Sequence, residues 1–315
     1  MLFAGTILLL NFNHTFFNKV VKKLKLKNLS AGNMFYFKTG TPETLRNETI
    51  TEKIKKISVH ITTHLKPLND EQFGHYLAGL IDGDGHFSNI QQLVIVFHSL
   101  DASLAYYIKS YLGYGSVKKV KDKNAFILVL SSKLGIERVI TLINGKIRTI
   151  NKYNQIVKNV LANPKYMDFS KNLNFKLNVS NNFNNHWLAG FSDADASFQI
   201  KILDRFNRTE IRLNYQIDQK TKDILLLIKN FLGGNIGYRK SQDTFYYGST
   251  SFGSARNVIN YFDHFHLLSS KHVNYLKWRK AYLIVQNKKH NTKEGIEKIT
   301  KLKNTMNRAN DNVIV

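Results

Sequence analysis

The sequence predicts an α+β protein made of two similar lobes, each with the order helix, two strands, helix, two strands, helix. An eleven-residue motif occurs twice, reading LAGLIDGDGHF from Leu77 and LAGFSDADASF from Leu188. Its second acid recurs after 111 residues, about the length of one small domain, at Asp84 and Asp195. After each copy, stretches with the period of a strand alternate with stretches with the period of a helix. The chain is therefore an internal duplication.

The second repeat shows the order of elements most clearly. Apolar and polar residues alternate from Phe198 to Ile202 and from Ile211 to Ile217, which predicts a half-buried hairpin with a polar loop from Asp204 to Thr209. Helical spacing then predicts a helix from Asp223 to Leu232, ended by Gly233 and Gly234. The same two periods predict the other elements, which are a hairpin over 235–252 and one or two closing helices over 255–285, and in the first repeat a strand over 93–97, helices over 102–112 and 134–143 and a hairpin over 116–131.

The two repeats do not account for the whole chain. We predict a first repeat over residues 66–162, an asparagine-rich linker over 163–185, a second repeat over 186–290 and a C-terminal tail over 291–315. Residues 1–65 are a basic extension with six lysines before the first acid, Glu43. This composition resembles an organellar transit segment. A disordered basic arm or an exon-derived, in-frame extension fits it equally well.

Charge points to a polyanionic partner. The chain has 46 lysine and arginine residues against 22 acidic ones, a formal charge of +24, which favours nucleic acid. A merely basic protein of AT-rich coding origin is the simpler alternative. Because there is no cysteine, disulfides, thiolate metal sites and cysteine nucleophiles are excluded. No apolar run reaches the roughly 18 residues of a membrane span, so no membrane partner is expected.

The repeated motif, taken as a helix, has its small residues on one side. Gly79 and Gly83 lie four residues apart in the first copy, as do Gly190 and Ala194 in the second. Residues at this spacing share a helix face, so each helix presents a flat strip to which another backbone can come close. Two such strips could pack together about a pseudo-two-fold axis. Two further alanines widen the strips, Ala78 and Ala189.

This packing would bring Asp84 and Asp195 to the same end of the helix pair. Their charges repel, and each also opposes the negative end of its helix at a cost of about 0.3–1 kcal/mol. A hard divalent ion such as Mg²⁺ would offset both effects, and it can activate water and stabilise the oxygens of a phosphate in hydrolysis.

Two other interpretations of the acids compete with a metal site. One copy alone would be read as a polar turn that ends a helix, but repetition in the same register favours a site. A calcium-binding loop requires glycine at position six and glutamate at position twelve. Counted from the first acid of each copy, these positions hold Phe87 and Leu93, and Phe198 and Asp204. A calcium loop is therefore excluded.

These residues resemble the LAGLIDADG homing endonucleases, in the single-chain class with two motifs, over about Phe73 to Ala281. The departures are Gly83 for the usual middle alanine, Ser192 for an aliphatic residue and Ala196 for the final glycine, which bears on the turn after the second site acid. The resemblance implies pseudo-symmetric αββαββα lobes whose antiparallel sheets form a DNA-binding saddle. It also implies a monomer that cuts both strands of a long asymmetric DNA target and initiates intron mobility.

The resemblance further implies an active site. Two or three Mg²⁺ ions would be shared by Asp84 and Asp195, with the carbonyls of Gly83 and Ala194 as further ligands. A polar residue at the end of a strand would join them. The candidate for this polar residue is Gln219, with His98 as a looser match in the first repeat. Lysines near the scissile phosphate are also implied, and the candidates are Lys271 and either Lys146 or Lys152.

DNA contacts are expected on the polar sides of the strands. Arginine and lysine can pair with guanine, and asparagine and glutamine with adenine, in the major groove. The candidates for base contacts are Gln199, Lys201, Arg212, Asn214 and Gln216. The candidates for phosphate contacts, which position a protein without reading sequence, are Lys118, Lys119, Lys121, Arg239 and Lys240.

Two other functions compete with the nuclease. Proteins of this family are encoded in introns, often in mitochondria and also in chloroplasts, and a mitochondrial location is expected here. A maturase that binds its own intron RNA uses the same fold, but RNA binding alone does not require two paired acids. A decayed remnant that only binds DNA is suggested solely by Ala196.

Overall fold

The structure, a computed structural model, describes residues 56–206 and 208–306. The first half comprises α1 (Asp70–Asp84), β1 (His86–Phe87), β2 (Leu93–His98), α2 (Ala102–Leu112), β3 (Ser116–Lys119), β4 (Ala125–Leu130), α3 (Lys133–Ile143) and α4 (Ile150–Ile156). A short helix, α5 (Met167–Lys171), follows. The second half comprises α6 (Trp187–Asp195), β5 (Ala196–Arg205), β6 (Arg208–Gln219), α7 (Asp223–Leu232), β7 (Asn235–Arg239), β8 (Thr244–Gly248), α8 (Phe252–Phe262), α9 (Lys271–Gln286) and α10 (Lys293–Thr305).

The predicted fold class is confirmed. Each half carries a four-stranded antiparallel sheet, with strand orders β1-β2-β4-β3 and β5-β6-β8-β7. The loop of the β5–β6 hairpin is shorter than predicted, because the strands pair as far as Arg205 and Arg208. Exposed polar residues can continue the ladder there, since Arg205 forms an ion pair with Glu210. The alternation of apolar residues therefore shows where the strands are buried, not where they end.

The two motif helices pack directly against each other. A Cβ atom added at Gly79 would overlap the carbonyl oxygen of Trp187 and lie 2.8 Å from the amide nitrogen of Phe191. The same addition at Gly190 would overlap the carbonyl oxygen of Tyr76. Such contacts are possible only between bare backbones. The small-residue strips predicted from the sequence are thus the surface that joins the two halves.

Each sheet buries one face and leaves the other open. In β2, Leu93 and Ile95 are fully buried and Phe97 nearly so, while the residues between them face outward. In the second half, Phe198 contacts Trp278 of α9 and Phe262 of α8 with ring centroids 5.6 and 5.7 Å apart. The core of each half therefore lies between the sheet and its helices, and the opposite sheet face is available to a ligand.

Segments outside the predicted repeats are also ordered. Residues 56–65, the described part of the predicted extension, pack on the second half, where Ile57 pairs with Gln286 through two hydrogen bonds of 2.8 and 3.0 Å. The rest of that extension lies outside the described residues. The predicted linker returns to the first half, since Asn178 donates to the carbonyl of Ile147 at 2.7 Å. The predicted tail contains α10. Among the described helices, none is long and apolar enough to cross a membrane.

Candidate active site

The second acids of the two motifs lie side by side at the C-terminal ends of α1 and α6. A Cβ atom added at Gly83 would overlap Cβ of Ala194 and lie 3.1 Å from Oδ2 of Asp195. Asp195 is partly buried, and Asp84 remains open to solvent. The helix packing therefore delivers both carboxylates to one place.

The environment of these carboxylates disfavours their charged forms. Burial and then the charge of Asp84 raise the pKa of Asp195 to about 6. Asp84 keeps an open side, yet the surrounding protein removes enough water to raise its pKa as well, and Lys271 and Lys152 oppose that rise. Two acids that repel each other in a partly dry site favour the binding of a cation.

A lysine from each half reaches the end of the helix pair. Lys271, the first residue of α9, donates from Nζ to the carbonyl of Ala194 at 2.7 Å and to that of Ser192 at 3.2 Å. Lys152, in the first turn of α4, donates from Nζ to the carbonyl of Gly85. Burial lowers the pKa of both lysines, while the nearby aspartates oppose this change.

Lys146 is placed elsewhere. Its Nζ forms an ion pair with Glu71 at 3.0 Å, in the first turn of α1 and so at the opposite end of that helix from Asp84. The sequence does not distinguish Lys146 from Lys152, and of the two the structure brings only Lys152 to the acids. The reason is the path of the loop, whose backbone reaches the end of α1 at Arg148 and Thr149, where both amides donate to Asp82.

The two halves differ in the polar residue at the strand end. Gln219, the last residue of β6, donates from Nε2 to Oδ2 of Asp195 at 2.6 Å. His98, the last residue of β2, instead accepts at Nδ1 from the amide of Leu100 at 3.2 Å. The strand pairing through β4 in the first sheet and through β8 in the second shows that the residue equivalent to Gln219 is Phe97 and not His98. Asp195 thus has an amide partner that the first half does not reproduce.

A cavity of about 460 Å³ beside the acids is lined by both halves. The first half contributes Gly83, Lys152 and Gln155, and the second contributes Gln219 and Lys220. Lys152 and Gln219 therefore line the same cavity, next to the C-terminal ends of the motif helices.

The donor set fits a hard cation that is only partly coordinated by protein. Within residues 56–206 and 208–306, no group of three or more histidine, aspartate or glutamate side chains is arranged to hold a metal. The ligands available at the site are two carboxylates and nearby backbone carbonyls. The carbonyl of Ala194 already accepts a hydrogen bond from a cation, the ammonium group of Lys271. Mg²⁺ keeps several waters and commonly shares one or two carboxylates with a phosphate, so the residues present suit it.

The first acids of the motifs were not predicted as functional residues. Asp82 and Asp193 are 4 and 7% exposed, each within a set of four hydrogen bonds. Burial raises the pKa of Asp82 to about 6, and those hydrogen bonds oppose it. Their repetition at the same register was a signal in the sequence, but their partners lie far away along the chain.

The open face of the second sheet is polar, as predicted. Gln199 pairs with Asn214 and Lys201 with Arg212 across β5 and β6. Asn214 donates to Gln216 at 3.1 Å, and both are less than 9% exposed because their neighbours cover them. Asn214 and Gln216, predicted as base contacts, are therefore not exposed on this face, whereas Lys201 is.

The two central strands of the first sheet, β2 and β4, are apolar on the open face. Val94 pairs with Val129 and Val96 with Ile127 across β2 and β4, and Val96 is 51% exposed. Of the predicted phosphate contacts, Arg239 forms an ion pair with Asp218 at 2.9 Å. The other four are exposed, namely Lys118, Lys119, Lys121 and Lys240. The two sheets thus present surfaces of different chemistry.

Comparison with known proteins gives one family. A model of the LAGLIDADG endonuclease family matches residues 188–282. An uncharacterized cox1 intron-2 protein of Schizosaccharomyces pombe is 65% identical over 90% of this chain and 86% of its own length. A probable intron-encoded endonuclease of Neurospora crassa is 28% identical over 81% of this chain, which spans about half (48%) of that relative. The crystal structure of the I-LtrWI LAGLIDADG homing endonuclease bound to target DNA shares the fold with a TM-score of 0.60 at 21% identity, covering 76% of this chain and 99% of that one.

Proposed function

The chain belongs to the LAGLIDADG endonuclease family, and we propose that it is a site-specific endonuclease that hydrolyses both strands of one long DNA target with Mg²⁺. The observation that carries this proposal is the junction of α1 and α6, where Asp84 and Asp195 lie together beside Lys152 and Lys271. RNA or DNA binding alone gives no reason for two paired acids of raised pKa at a helix junction.

In this proposal the carboxylates of Asp84 and Asp195 hold two or three Mg²⁺ ions, with help from the carbonyls of Gly83 and Ala194. When bound, such ions lower the pKa of a water molecule and neutralise the charge that develops on the phosphate. Gln219 holds Oδ2 of Asp195 in a fixed orientation. The ammonium groups of Lys152 and Lys271 neutralise phosphate charge, one from each half.

The sheets would hold the DNA. The formal charge of +24 supports a polyanionic target, and the unlike open faces of the two sheets support a target whose halves differ. The pseudo-two-fold relation of the two halves matches the relation between two antiparallel DNA strands, so a single copy suffices to cut both. Relatives from a cox1 intron and other introns support intron mobility and a mitochondrial origin.

The proposal is tested with Asp84→Asn and Asp195→Asn on a plasmid that carries the sequence flanking the intron. We expect each variant to lose double-strand cleavage in Mg²⁺ by at least about 100-fold, with target affinity within about threefold, because metal ligands act on the reaction and not on the sheets. Asp168→Asn removes a highly exposed acid of α5 and is the matched control. Unchanged cleavage by either motif variant would refute the proposal. Binding of intron RNA without any cutting by the unaltered protein would favour the maturase alternative.

A further inference from the structure

The first acid of each motif contacts a loop of its own half. Asp82 accepts hydrogen bonds from the amides of Arg148 and Thr149 at 2.8 and 3.1 Å and from the hydroxyl of Thr149. Asp193 accepts from the amides of Leu268 and Ser269 at 2.7 and 3.3 Å and from the hydroxyl of Ser269. The two sets are the same contact, repeated in each half. Each acid therefore fixes the backbone of the segment that leads into a closing helix.

Each of these segments leads within three residues to a candidate active-site lysine. Lys152 follows Thr149, and Lys271 follows Ser269. Both lysines then reach back to carbonyls at the end of a motif helix. A shift of either loop would move its lysine, because the lysine lies in the first turn of the helix that the loop begins.

The fourth hydrogen bond of each acid comes from the other half. The hydroxyl of Tyr76 donates to Asp193 at 2.7 Å, and the indole Nε1 of Trp187 donates to Asp82 at 2.8 Å. Both aromatic residues stand immediately before the motif leucine, at the same position of the two copies. All four side chains are buried, so water cannot replace a lost donor at little cost.

We propose that Asp82 and Asp193 are positioning residues for Lys152 and Lys271, and that Tyr76 and Trp187 make the placement of each lysine depend on the opposite half. The inference rests on the proposed nuclease function. Tyr76 supports the half that contains Lys271, and Trp187 supports the half that contains Lys152. Correct assembly of the helix pair then becomes a condition for placing both lysines, and a loss on one side affects one DNA strand.

The first experiment measures amide hydrogen exchange in the free protein and needs no cleavage. In Tyr76→Phe we expect exchange at the amides of Leu268 and Ser269 to become faster on the order of tenfold, because their acceptor has lost a donor that orients it. Ser270 stays held by Asp101 at 2.6 Å, so the loop should loosen without unfolding. The control is Tyr261→Phe, which also loses buried hydrogen bonds, to Asn185 and from Ala189, but these partners lie outside the segment of Leu268 and Ser269. Exchange that is unchanged, or raised equally in the control, overturns the proposal.

The second experiment follows the two strands of a supercoiled target plasmid. Tyr76→Phe should slow the cutting of one strand by about 10- to 100-fold and accumulate nicked circles, and Trp187→Phe should slow the other strand. Trp278→Phe is the control for the smaller ring, since its indole nitrogen is buried without a partner. Equal slowing of both strands would contradict the proposal. If the unaltered protein cuts no DNA, the proposed function fails, and the exchange measurement still decides whether the loops are positioned in this way.

Discussion

The contact between the motif helices makes a sharp prediction for Gly190→Ala. The added methyl group would overlap the carbonyl oxygen of Tyr76 and lie 2.9 Å from the amide nitrogen of Leu80. Both atoms belong to the backbone of α1 and cannot rotate away, so the two helices must move apart.

The magnitude follows from two opposing terms. Overpacking of a core contact costs about 3 kcal/mol at the upper end of its usual range, which suits a clash with backbone. Alanine in place of glycine within a helix returns about 1 kcal/mol. The free energy of unfolding should therefore fall by about 2 kcal/mol, despite the better helix former.

The assay is urea unfolding followed by circular dichroism, with Gly253→Ala as the matched control. A methyl group at Gly253, near the start of α8, would meet no heavy atom within 4 Å. That variant should be more stable than the unaltered protein by about 0.4–1 kcal/mol. The same substitution thus has opposite signs at two sites. Gly190→Ala as stable as the unaltered protein would refute the close helix contact.

Three further predictions concern the site and the sheets. Lys271→Met should slow DNA cleavage by about 100-fold, while Lys146→Met, which removes the ion pair with Glu71, should leave the rate within about threefold; equal rates in a single-turnover assay would contradict the placement of Lys271. Burial and Asp84 raise the pKa of Asp195 to about 6. The folded, metal-free protein therefore loses stability as pH rises from about 4 to 6, because this carboxyl group must then ionise in a site that disfavours its charge. Asp195→Asn should then be more stable at pH 7.5 by up to about 3 kcal/mol, since one pKa unit corresponds to about 1.4 kcal/mol, with no such gain at pH 4 in thermal unfolding with a chelator. Finally, Val94, Val96, Ile127 and Val129 suit thymine methyl groups, so deoxyuridine in place of thymine should weaken binding about tenfold in the half-site facing the first sheet, and not in the other; equal loss in both half-sites would contradict this.

Much of the fold could be predicted because the spacing of apolar and small residues along the chain matches the faces on which the helices and strands pack. The repeated glycines at helical spacing predicted the helix pair, and the pair determines where Asp84 and Asp195 lie. The alternation of β5 and β6 likewise predicted which face is open. Such features depend on residues that are neighbours in the chain or that repeat in register.

The rest depends on contacts between distant residues. The choice of Lys152 over Lys146 follows from the bonds of Asp82 to Arg148 and Thr149, which no local period reveals. In the first half the position equivalent to Gln219 is occupied by Phe97, and this equivalence follows from strand register and not from spacing along the chain. Residues 56–65 cross to the second half to meet Arg279, which is bonded to the carbonyls of Ser58 and His60 at 3.0 Å. None of these partners shares a local pattern.

Shared coordination of divalent ions by Asp84 and Asp195 is most directly visible in a crystal structure of the DNA complex grown with Ca²⁺. We expect a Ca²⁺ ion about 2.3–2.6 Å from a carboxylate oxygen of each residue and from an oxygen of a DNA phosphate. Two results in a complex with DNA on the sheets would contradict the metal-dependent mechanism. In the first, neither carboxylate contacts an ion. In the second, every DNA phosphate lies far from both carboxylates.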